Sequence, residues 1–95
     1  MAVKKQGQHV LITTEFRGVF FGEVVDDKHA PGKIVLKNAR NCISWHSSVN
    51  GVFGLAATGP NSQCKIGPTI PHFTAWKITS ATHCTDAAVA AWQAA

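Results

Sequence analysis

Thr13–Trp45, TTEFRGVFFGEVVDDKHAPGKIVLKNARNCISW, constrains the fold more than any other stretch, because runs of Val, Ile, Phe and Leu alternate there with Gly, Pro and Asp. Strands joined by turns produce that pattern; helices do not. Val10–Thr14 begins a first strand and Val19–Val25 forms a second, with Arg17 and Gly18 at the bend between them. In the second strand Val19, Phe21 and Val25 fall on one face and Phe20 and Val24 on the other. Two apolar faces predict a strand covered on both sides, by its own barrel and by something else, such as a symmetry mate. DDKHAPG, residues 26–32, has the chemistry of a hairpin loop, with Pro31 fixing φ and Gly32 freeing it. Lys33–Lys37 then alternates with Ile34 and Leu36 inward, Asn38–Arg40 is a break or bulge, and Asn41–His46 resumes with Ile43 and Trp45 on one face.

Ser47–Pro71 changes character, with Gly51, Gly54, Gly59, Pro60, Gly67, Pro68 and Pro71 and a single charged residue, Lys65. It reads as a long irregular segment that buries Val52, Phe53, Leu55 and Ile66, not as a polar linker. Phe73–Thr82 reads as the last strand, with Trp76 and Ile78 on one face. Thr85 is an N-cap and Asp86 a favourable first-turn charge for an Ala-rich helix, 86–93, which Val89 and Trp92 dock onto the sheet. The expectation is therefore a mainly β fold: a small SH3-like or Sm-like curled barrel of four to five strands with a short C-terminal helix. Residues 1–9 are expected to be a flexible N-terminus and 10–95 a single domain.

A domain of 95 residues buries only about 60 to 65 per cent of the surface its unfolded chain exposes. Charged residues make up 15%, against roughly 25% in a typical soluble domain, so some apolar surface is expected to meet another subunit. Residues 1–40 hold seven Lys or Arg and four acids, whereas 41–95 hold Lys65, Lys77 and Asp86. Lys28, Lys33 and Lys37 suit a solvated strand edge better than a phosphate-binding stripe, so nucleic acid is not the favoured partner. Cys42, Cys64 and Cys84 are an odd, unpaired set, MAVKKQGQH lacks the apolar run of a secretion signal, and no apolar run is long enough to span a membrane. These features predict a reducing cytoplasm.

The five carboxylates have no nucleophile or base beside them at catalytic spacing, which argues against an enzyme. Cys42 and His46 with His83 and Cys84 allow a zinc site to be drawn, but positions i and i+4 of a strand stand about 13 Å apart, so no metal is expected. The glycines of 51–59 match neither a Walker loop nor a dinucleotide fingerprint. LAATGP nevertheless lets Thr58 and Gly59 present backbone N–H groups to an anion, with Arg17, Arg40 and Lys65 as complementary cations and Trp45 as a stacking surface. These six residues are the predicted ligand site, with no cofactor.

The segments TTEFRGVFFGEVV, VLKNARNCISW, GVFGLAATGP, CKIGP and AVAAW together resemble a small uncharacterised protein family of tailed phages and prophages, over about residues 10–92. A looser similarity joins Arg17, Gly18, Gly22, Leu36 and Asn38 to the outline of Sm-like and SH3-like barrels. The resemblance implies a phage origin. The expected function is a non-enzymatic phage accessory protein in the host cytoplasm that forms a homo-oligomer and binds a small anionic ligand or a host protein, in counter-defence. The alternatives are a virion structural subunit and a nucleic-acid-binding barrel.

Overall fold

The structure, a computed structural model, describes residues 8–25 and 32–95. Six antiparallel strands and two short helices follow the order β1 (His9–Thr14), β2 (Gly18–Val24), β3 (Lys33–Ser44), α1 (Gly51–Ala57), β4 (Lys65–Ile66), β5 (Ile70–Trp76), β6 (Ile78–His83) and α2 (Asp86–Ala94). Short 3-10 turns at Glu15–Arg17 and Ser47–Val49 complete the path. Of the hairpin loop expected at 26–32, residues 26–31 lie outside the described residues, Gly32 takes φ 74, and the flanking strands β2 and β3 pair antiparallel.

β3 is the spine. One side of it carries β2; the other carries β5 along its first half and β4 at its far end. The predicted break at Asn38–Arg40 is a bulge seen from β2: Glu23 faces Lys37 but Phe21 faces Arg40, so β3 holds one residue more than its partner. Asn38 takes φ 51 there. Opposite the bulge Gly22 is needed for close approach, because a Cβ on it would lie 2.9 Å from the Leu36 Cβ.

The predicted last strand, Phe73–Thr82, is two strands divided at Lys77, whose φ is 57. β5 pairs with β3 at one edge of the sheet and β6 with β1 at the other, so a single residue connects the two edges. With strands about 4.8 Å apart, a flat sheet would hold those edges much too far from each other, and the sheet must curl. The corner is fastened by the Glu15 N–H donating to the Lys77 carbonyl at 3.1 Å and the Ile78 N–H donating to that of Gly32 at 3.0 Å. No ladder joins β5 to β6 among the described residues, so the sheet is open along that seam.

Both faces of the sheet are covered. Inside the curl Val10, Ile12, Val24, Ile34, Leu36, Ala39 and Ala75 form one apolar cluster, with Phe20 and Phe73 packed against it. On the outside Leu11, Val19, Phe21 and Cys42 meet Leu55 and Ala56 of α1 and Ala88 and Trp92 of α2. The second cover over Val19 and Phe21 is thus this chain's own helices, not a symmetry mate. Each buried Val, Leu, Ile or Phe among them contributes about 1.5–3 kcal/mol by leaving water.

The 47–71 segment is also less irregular than its glycines and prolines suggest. α1 forms within it, with Thr58 closing the helix by donating both its N–H (2.8 Å) and its Oγ1–H (3.0 Å) to the Gly54 carbonyl. α2 begins as expected, with the Thr85 Oγ1 accepting from the Ala88 N–H at 3.1 Å.

Candidate functional site

The predicted ligand residues do not gather. Arg40, on the outer face of β3, donates through Nε and Nη2 to the Gly67 carbonyl at 3.0 and 2.8 Å. Its Nη1 donates to the carbonyls of Trp92, at 3.1 Å, and Ala95. The guanidinium therefore sits at the negative end of the α2 dipole and ties the end of that helix to the β4–β5 connection. The Thr58 N–H is used within α1, and Gly59, at φ 80, is buried against α2, where a Cβ would come within 2.5 Å of the Ala91 Cβ. These two residues close a helix and admit another helix; they do not form an open anion nest. Lys65 is exposed on β4 opposite Ser44, next to Trp45 just past the end of β3. The backbone of Arg17 ends the turn before β2, and its side chain lies outside the described structure.

A groove that no local spacing announces runs beside α2. Asp86, Val89 and Gln93 fall on one face of the helix and look across at the outer face of the sheet. At the N-terminal end of α2 a cleft of about 290 Å³ is lined by Gln8, His9, His83, Cys84, Asp86 and Val89. Toward its C-terminal end a second cleft, of about 210 Å³, is lined by His9, Phe21, Glu23, Asn38, Arg40, Thr69 and Gln93. His9 belongs to both. Its ring stacks on Phe21 (centroids 5.6 Å apart, planes 17° apart), and Phe21 stacks on Trp92 at 5.1 Å and 3°. The Trp92 Nε1–H donates to the Leu55 carbonyl at 3.1 Å, so the column under His9 is fixed in place.

The polar groups along this groove are unequally satisfied. Glu23 lies 3.6 Å from the Lys37 Nζ and 3.9 Å from the His9 Nε2. The Gln8 Oε1 is buried and has no hydrogen-bond partner among the described residues. Asp86 makes no ion pair among them either. Burial pushes the Cys84 thiol up to about 12, and burial together with the neighbouring Cys64 pushes Cys42 up to about 11, so both are protonated at neutral pH. Among the described residues no three His, Cys, Asp or Glu side chains come together as a metal would require.

A second kind of surface is apolar. Phe16 (89% exposed), Phe53 (78%), Trp76 (61%), Ile43 (53%), Ile70 (48%) and Trp45 (37%) stand in solvent around an otherwise well-packed core. Trp76 faces Lys33 at the start of β3, with the Lys33 Nζ 5.1 Å from the indole centroid, whereas Ile43 and Trp45 lie at its far end, ten residues along and roughly 30 Å away. Ile43 and Trp45, two apart, border a shallow cleft of about 310 Å³ with Cys42 and Ser44.

No helix among the described residues is long and apolar enough to cross a membrane. No curated protein and no solved structure matches the chain. The model of a family described as a domain of unknown function, DUF6948, matches residues 7–92, and the chain belongs to that family.

Proposed function

We propose that this DUF6948 chain is a non-enzymatic phage accessory protein that assembles with copies of itself and acts by binding a host protein. The observation that carries this reading is the set of six large apolar side chains left in solvent by a 95-residue domain whose cores are closed. Isolated exposed apolar residues are ordinary, but Ile43 and Trp45 adjoin, and aromatic side chains are the kind that anchor interfaces. The low charge of the second half of the chain, which holds only Lys65, Lys77 and Asp86 after residue 40, supports the same reading, with Lys65 opposite Ser44 as the charge beside the pair.

Under this reading the curled sheet is a small SH3-like or Sm-like barrel, supported by the single-residue link between β5 and β6 on opposite edges. The setting is the host cytoplasm and the service counter-defence, as the resemblance to phage proteins implies. A small anionic ligand has less support than a protein partner, because Arg40 is directed onto carbonyls and the Thr58 N–H onto its own helix.

Native mass spectrometry of the protein purified from cells tests the proposal, first under gentle and then under denaturing conditions. A defined oligomer, weakened when Ile43 and Trp45 are replaced, is the expected result. A strictly monomeric protein at tens of micromolar would overturn it.

A further inference from the structure

β5 leaves one edge bare, and its sequence does nothing to blunt it. The Val25 N–H donates to the Val35 carbonyl at 3.0 Å, so Lys33, Val35 and Lys37 turn their backbone groups toward β2, and Ile34 and Leu36 turn theirs toward β5. Ala75 and Phe73 are the residues of β5 that meet them. His72, Thr74 and Trp76 aim N–H and C=O the other way, where no backbone group meets them among the described residues. Pro71 is no guard, because alternation puts its missing N–H on the β3 side with those of Phe73 and Ala75. The neighbouring edges are blunted. β4 is two residues long, and β6 holds one extra residue, Thr79, in its ladder with β1, where the Thr13 Oγ1 bonds the hydroxyls of both Thr79 and Ser80 at 2.7 and 2.6 Å. β5 runs seven residues, Ile70–Trp76, with no Asp, Glu, Lys or Arg. Its two end residues are large, apolar and exposed, Ile70 at 48% and Trp76 at 61%, while Phe73 and Ala75 pack into the inner core. Such an edge is a template for another strand.

We infer that β5 pairs antiparallel with β5 of a second copy, about a two-fold axis at Phe73. In that register His72 faces Thr74 of the second copy, and Ile70 lies against Trp76 of the second copy at both ends, so the bare backbone groups and the apolar ends are matched together. An axis at His72 or at Thr74 would still pair the bare groups, but it would shorten the overlap and leave Trp76 or Ile70 beyond it. The strand is free of Lys, Arg, Asp and Glu, so none of these charges meets its own copy across the axis. The pairing rests on the self-assembly proposed above, and it uses a surface at the opposite end of β3 from Ile43 and Trp45.

Charge placed across the axis tests it, read by light scattering over a concentration series. His72→Glu with Thr74→Glu sets carboxylates against each other and should weaken dimerisation at least tenfold; His72→Lys with Thr74→Lys should do the same, and an equimolar mixture of the two variants should form a mixed dimer. Both positions are exposed, and a urea melt confirms that each variant folds. In the unaltered protein, hydrogen exchange at the His72 and Thr74 amides should slow as concentration rises, while Phe73 and Ala75 are protected throughout. An oligomer whose His72 and Thr74 amides stay unprotected, or a mixture that forms no mixed dimer, would overturn this pairing and leave self-assembly through Ile43 and Trp45 standing. A strict monomer at tens of micromolar would overturn both.

Discussion

Arg40 shows how a residue chosen for its charge can have a purely architectural position. Its hydrogen bonds to Gly67, Trp92 and Ala95 hold the end of α2 and the β4–β5 connection to β3, and a charged donor's bonds are worth more than neutral ones. Arg40→Ala should lower stability by about 2–3 kcal/mol, read as a lower urea midpoint. Arg40→Lys should recover only part of that, since one ammonium cannot reproduce the planar fork. The arginine itself was legible in the sequence, but the carbonyls it serves lie 27 and 52 residues away. The cysteines give a second prediction. Burial raises Cys42 to about 11 and Cys84 to about 12 from an ordinary 9.0, so the folded state holds these protons more tightly than the unfolded chain. Their contribution to stability is complete below about pH 9 and is lost as pH climbs through the folded values. Urea midpoints measured from pH 7.5 to 11 should fall only above about pH 9, and less steeply in Cys84→Ala.

At the scale of elements, the signals that were local could be read and those that depended on distant packing could not. Thr85 caps α2 as its sequence indicates, and the bulge at Asn38–Arg40 is where alternation breaks. α1 was hidden because Gly51 and Gly54 are poor helix formers; the helix stands on the burial of Leu55 and Ala56 beneath α2. The division of β5 from β6 was hidden too, since Trp-Lys-Ile carries no turn residue and Lys77 takes a positive φ without being glycine. The groove was invisible for a related reason: its lining comes from β1, β2, β3, β6, α2 and the adjoining residues Gln8, Thr69 and Cys84, with no recurring interval. α1 and α2 also fit closely at Gly59. Gly59→Ala places a methyl 2.5 Å from the Ala91 Cβ at a φ of 80, and should cost about 1–3 kcal/mol through overpacking and backbone strain. A thermal melt would show it, and an unchanged melting temperature would mean that the helices separate without cost.

For the molecule as a whole, the two apolar faces of β2 were correctly read as buried, but the cover on the outer one was left open, with another copy as the example, and α1 and α2 supply it. The proposed self-association therefore has to use residues beyond that face, and Ile43 and Trp45 are the adjoining pair. Ile43→Ser with Trp45→Ser should weaken association at least tenfold while changing stability by less than about 1 kcal/mol, because exposed substitutions disturb little. Light scattering across a concentration series, paired with a urea melt, separates the two effects. Loss of stability without loss of association would place the interface elsewhere.

Lys77 joins the two sheet edges, and so β1 bonds on one side to β2, which follows it directly, and on the other to β6, with Thr13 meeting Ser80 across 67 residues of chain. During synthesis the strand containing Leu11 and Ile12 must keep one edge bare until residue 83 has emerged. Folding dominated by so distant a pairing is slow, on the order of milliseconds to seconds. The nascent chain is therefore most prone to aggregate just before its last strand arrives, and nascent chains arrested ahead of Ile78 should draw chaperones that the finished protein does not need.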